Sequence, residues 1–100
     1  MMANNNQVKV KVCGMTNLKD TLVAVEEGAD AVGFIFYKKS PRSVTMKLVR
    51  EIVLELPPFV DTVGVFVDET EEKINKIADY CNLDMVQLHG DESPAFCKKI

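Results

Sequence analysis

Four apolar runs, each followed by a stretch of helical periodicity, limit what this chain can fold into more than any other feature. The runs are VKVKVC (8–13), DAVGFIFY (30–37), VDTVGVFV (60–67) and LDMVQLH (83–89). Branched and aromatic residues dominate them, as befits strands. The segments that follow are LKDTLVAVEEG (18–28), TMKLVREIVLEL (45–56), TEEKINKIADYC (70–81) and SPAFCKKI (93–100). Asn17 is placed to cap the first helix, with Asp20 in its positive first turn and Gly28 at its end. Leu48, Ile52 and Leu56 form the inward stripe of the second, which Pro57 and Pro58 end. The third carries acidic residues in its first turn and turns Ile74, Ile77, Ala78 and Cys81 inward. Ser93 caps the fourth, and Pro94 takes its first helical position.

Strands that alternate with helices and are joined by short links build a parallel sheet covered by helices. Two architectures fit: an open doubly wound sheet, or part of a closed (βα)8 barrel of the TIM type. Each unit takes about 25 residues, so eight would need about 200, the lower end for such a barrel. The 100 residues then form one half, (βα)4, of a single barrel domain, with residues 1–7 (MMANNNQ) a polar lead-in.

Composition excludes several functions. The chain is 47% hydrophobic and 27% charged, with a formal net charge of -3. It has no basic run, so it lacks the electrostatic footprint of a nucleic-acid or anionic-membrane binder. No apolar stretch reaches the roughly 18 residues that span a bilayer. The lead-in lacks the pattern of a signal peptide. Cys13, Cys81 and Cys97 are odd in number and widely spaced, and a single histidine accompanies them. That argues against a disulfide framework and against a zinc site, so no metal is expected, and a reduced cytoplasmic setting fits.

Chemistry is expected at the C-terminal ends of the strands in either architecture. The first strand ends in Cys13. The second runs into FYKKSPR, which carries Lys38, Lys39 and Arg42. The third ends in Asp68, and the fourth in QLHG, where Gln87 and His89 share a face. Each has a plainer reading. A cysteine in a valine-rich strand is usually a small buried hydrophobe, a loop arginine is usually solvated, and a histidine after an apolar strand usually bonds a backbone carbonyl. The first strand adds one detail. Lys9, Lys11 and Cys13 lie on one face and Val8, Val10 and Val12 on the other. A lysine beside a thiol, or a helix N-terminus behind it, favours the thiol's reactive form. Cys81 and Cys97 read as packing residues, and Lys38 and Lys39 as solvated. No GxGxxG or Walker loop marks a nucleotide site.

KVCGMTN, GADAVGFIFYKKSPRSV, LPPFVDTVGVFVDE and VQLHGDE, in this order, resemble the phosphoribosylanthranilate isomerase family of tryptophan biosynthesis. The resemblance covers Val8 to Ile100 and implies a (βα)8 barrel. It implies an Amadori rearrangement of N-(5-phosphoribosyl)anthranilate to the carboxyphenylamino-deoxyribulose phosphate, with a small-molecule substrate and no cofactor. By the same resemblance Cys13 is the general base, Arg42 holds the anthranilate carboxylate, and Gln87 and His89 line the substrate pocket. The family's general acid, on the fifth strand, and its phosphate loops, after the seventh and eighth, fall outside these 100 residues. The chain alone is therefore expected to be inactive. Its two sheet edges and bare inner face are expected to make it self-associate. Two alternatives stand beside this reading. One is another phosphosugar barrel enzyme, such as indole-glycerol-phosphate synthase. The other is a non-catalytic flavodoxin-like βα module, against which the thiol at the end of the first strand and the lack of a second strand-end acid both argue.

Overall fold

The computed structural model describes residues 9–88. It contains β1 (Lys11–Cys13), α1 (Leu18–Glu26), β2 (Ala31–Ile35), α2 (Met46–Leu54), β3 (Asp61–Phe66), α3 (Glu71–Cys81) and β4 (Met85–Leu88). The expected lead-in, Val8, His89, and the fourth helix with Ser93, Pro94 and Cys97 lie outside the described residues.

Each helix starts where a side-chain oxygen takes up a backbone N–H that the first turn cannot satisfy. Asn17 accepts from the Asp20 amide at 2.8 Å, Thr45 from Leu48 at 3.3 Å and Thr70 from Lys73 at 3.2 Å. Chain reversals stop them. Gly28 follows α1 with a φ of +101°, and Asn82 closes α3 in the left-handed conformation.

All the strand pairings are parallel, and the order across the sheet is β1-β2-β3-β4. This order decides between the two architectures. A flavodoxin-like sheet reverses direction after its first unit and places β1 inside. Here every strand is added beside its predecessor on the same side, as in a barrel wall. The flavodoxin-like alternative is thereby removed.

Register assigns the two faces. Val12 pairs with Val32, and Phe34 aligns with Gly64 and Val86. These residues, with Phe66 and Leu88, point to the helices. Val32, Phe34, Ile52, Val49, Phe66, Ile74 and Cys81 are each at most 1% exposed and belong to one apolar cluster between sheet and helices. Burying each large aliphatic or aromatic side chain contributes about 1.5–3 kcal/mol. Gly64 lets the layers close, since a Cβ there would stand 2.6 Å from a Leu83 methyl. Phe36 stacks on Phe66, with ring centroids 5.2 Å apart. The inward stripe of α2 differs from the expected one. It centres on Val49 and Ile52, with Leu48, Val53 and Leu56 packed partly buried at its sides.

The opposite face carries Lys11, Cys13, Gly33, Ile35, Val63, Val65, Met85 and Gln87, by the same register. This face is concave. β1 and β4 would lie roughly 14 Å apart in a flat sheet, yet the Lys11 ammonium donates a hydrogen bond to the Gln87 Oε1.

The N-terminal ends of the strands are tied by carboxylates. Asp30 accepts from the Val10 amide at 2.7 Å. Asp84 accepts from the Thr62 amide at 2.8 Å and from its hydroxyl at 3.1 Å. Thr62 is 3% exposed. Asp84→Ala strands a buried N–H and a buried hydroxyl, and is expected to destabilise the fold by about 1–3 kcal/mol. Urea unfolding checks this, with a lowered midpoint and an unchanged slope.

Candidate active site

Cys13 is the last residue of β1, and it lies half-buried on the concave face. Its row across the sheet runs Cys13, Gly33, Val63, Met85. Gly33 is what lets the thiol lie there. A Cβ on Gly33 would come within 3.0 Å of the Cys13 Sγ. A glycine inside a strand costs stability and marks a close approach. Here it clears space above the adjacent strand for sulfur.

Gly14 turns the chain away from β1 with a φ of +87°. The Gly33 carbonyl accepts from both Gly14 N and Met15 N, at 3.0 and 3.1 Å. The strand end is thus held against β2 before α1 begins. Over Gly14 lies Arg42. A Cβ at position 14 would stand 2.9 Å from its Nη1 and 3.0 Å from its Cζ.

The SPR segment explains how a loop arginine reaches that place. The Ser40 carbonyl accepts from the Ser43 amide at 3.1 Å, which closes a turn, and Pro41 occupies the position where its fixed φ is favoured. The Ser40 hydroxyl accepts from the Arg42 amide at 3.1 Å. Ser43 then bridges back to Ile35, and Val44 N donates to the Ile35 carbonyl at 3.0 Å. The turn is therefore pinned to the end of β2, and Arg42 is directed at the end of β1. Lys38 and Lys39 in the same loop are exposed, as expected.

Gln87 stands on β4 two residues beyond Met85, so its side chain shares the face of Cys13. Cys13, Arg42 and Gln87 thus gather at the same rim. His89 lies outside the described residues. Asp68 follows β3 in a turn with a φ of +48° rather than ending the strand. Cys81 is a packing residue, as expected. It is fully buried, its thiol donates to the Met46 carbonyl at 3.3 Å, and burial pushes its pKa up despite the nearby Arg50. Among the described residues no cluster of three or more acidic, histidine or cysteine side chains could hold a metal, and no helix is long and apolar enough to cross a membrane.

Residues 10–100 match the family model of N-(5'-phosphoribosyl)anthranilate (PRA) isomerase. The chain belongs to that family. Among curated PRA isomerases it is 57% identical over 90 residues to that of Pelobacter propionicus, covering 90% of this chain and 43% of that protein. It is 58% identical over 93 residues to that of Thermotoga neapolitana, covering 93% and 45%. The crystal structure of the Thermotoga maritima PRA isomerase superposes with a TM-score of 0.93 at 56% identity, covering 94% of this chain and 46% of that one. A PRA isomerase in complex with reduced 1-(o-carboxyphenylamino)-1-deoxyribulose 5-phosphate also superposes at 0.93 and 56%, covering 94% and 48%. The chain spans about half the length of the PRA isomerases it matches. It corresponds to the first four βα units of the barrel.

Gly14 and Gly33 shape the candidate site, although neither carries a side chain that strand-end reasoning would single out. Their local signals were a glycine at a strand end and another within an apolar run. Gly14→Ala is expected to incur two costs: about 1–2 kcal/mol of backbone strain at positive φ, and displacement of the guanidinium. Denaturation of the single and double variants separates them. In an Arg42→Ala background the loss caused by Gly14→Ala falls to the backbone part alone. An unchanged loss would mean that Arg42 does not rest on Gly14.

Proposed function

We propose that this chain supplies the base and part of the substrate-binding side of a PRA isomerase, which converts N-(5-phosphoribosyl)anthranilate by an Amadori rearrangement. One observation carries the reading. A half-buried thiol ends β1 on the concave face, away from the described helices, beside a guanidinium that a pinned turn holds over the next residue. In this reading the substrate opens to a protonated Schiff base, and the Cys13 thiolate removes the proton from the adjacent ribose carbon. The electron pair left behind neutralises the iminium nitrogen and gives the enolamine. Arg42 pairs with the anthranilate carboxylate, for which a guanidinium offers two parallel N–H donors. Gln87 and His89 line the pocket. The protonation of the ring oxygen and the grip on the phosphate are left to groups outside these 100 residues. The chain taken alone is expected to be inactive, because a general acid is typically worth about 10²–10⁴ in rate and the grip on the phosphate is missing as well.

The family match disfavours the other phosphosugar barrel, indole-glycerol-phosphate synthase. Self-association of the 100-residue chain taken alone is part of the same proposal. Val10 and Met85, beside the β1 and β4 edges, are 50% and 47% exposed. Unpaired edges promote association.

Cys13→Ser tests the base. A hydroxyl keeps the approximate size of the thiol but gives up its proton far less readily. In a full-length barrel that carries these residues, kcat is expected to fall by about 10²–10⁴, with affinity for the reduced product analogue retained. An unchanged kcat in steady-state assays removes Cys13 from the role.

A further inference from the structure

The hydrogen bond from Lys11 to Gln87 joins the first and last described strands across the concave face. Its chemistry sets the orientation of the amide. An ammonium group has three donors and no acceptor, so it can only meet the carbonyl oxygen of a glutamine. Whichever way an amide is assigned at first, a lysine partner fixes it. The oxygen of Gln87 is therefore turned toward Lys11, and its two N–H donors, which have no partner among the described residues, are offered to a ligand. Lys11 precedes Cys13 by two residues on the same face of β1, and Gln87 lies on the same face of β4.

We propose that Lys11 is a positioning residue, which holds the Gln87 amide so that it donates to an acceptor oxygen of the substrate. The proposal rests on the reading of Gln87 as a substrate contact. It adds polarity: position 87 must donate, and an acceptor-only side chain there fails even though it would bind Lys11 well. Without Lys11 the amide turns freely and presents its carbonyl to substrate oxygens about as readily as its NH2.

The test uses a full-length barrel carrying these residues, with N-(5-phosphoribosyl)anthranilate as substrate. Lys11→Met keeps the stem and removes the donors. KM is expected to rise about two- to threefold, because an amide that turns freely still presents its NH2 about half of the time, while kcat changes little. Lys11→Arg restores most of the loss. In a Gln87→Leu background Lys11→Met adds nothing further, because the partner through which it acts is gone. Gln87→Glu keeps the contact with Lys11 and has no donor, so it raises KM with Tm at or above the wild-type value. If Lys11→Met does not fold, Gln87→Glu decides alone, and a wild-type KM in that variant overturns the assignment. Equal effects of Lys11→Met with and without Gln87 overturn it as well. If Gln87→Leu raises KM while Lys11→Met does not, the proposal fails and the substrate contact stands. If neither changes KM or kcat, the contact itself is wrong.

Discussion

Adding each parallel strand beside the one before it, always on the same side, obliges every crossover helix to land on one face of the sheet. The rest of the molecule depends on that constraint. One face of each strand is committed to Val32, Phe34, Phe66 and the helices. The other face is relieved of helix packing and can hold Lys11, Cys13 and Gln87. A doubly wound sheet would have buried both faces and left chemistry only at a crevice between its halves. Polar groups on a sheet interior are costly unless something satisfies them. Here Lys11 and Gln87 satisfy each other, and Cys13 stands at the rim.

The two ends of the strands divide the labour. At the N-terminal end Asp30 holds the amide of Val10, just before β1, and Asp84 that of Thr62, second in β3. At the C-terminal end the chain spends its glycines and its pinned turn on close approach. Gly33 admits the thiol and Gly14 admits the guanidinium. The same sheet is thus fastened at the bottom and kept open at the top, the division expected of a barrel wall.

Much of this was legible before any coordinates, because it is local. Alternating periodicity marks four units, and Asn17 and Gly28 mark the bounds of α1. Cys13, Arg42 and Gln87 follow from asking which residues stand at strand ends. What was not legible is what depends on neighbours distant in sequence. Strands β1 and β2 are shorter than their apolar runs because ladder pairing, and not composition, sets their ends. In the segment of α2 and the turn after it, the residues at 48, 49, 52, 53 and 56 offer two overlapping stripes, and only the packing against the core and α3 selects the line through Val49 and Ile52. Gly33 reads as filler in an apolar run until its partner across the ladder is known to be a cysteine. Alternation sets Lys11 on the face of the thiol, while its bond to a residue 76 positions away requires the curvature of the sheet.

The central claim is that the Cys13 thiol faces the substrate. Alkylation of that thiol, followed by mass spectrometry with and without the reduced carboxyphenylamino-deoxyribulose phosphate, tests it most directly. The protein would be a full-length barrel with Cys97→Ser, and the buried Cys81, with its raised pKa, serves as the unreactive control. Cys13 is predicted to react first, and the ligand to slow its reaction in proportion to occupancy while Cys81 stays unlabelled. A Cys13 rate that does not change under saturating ligand would contradict the account, since a thiol that reacts equally well beside bound product is not in the site.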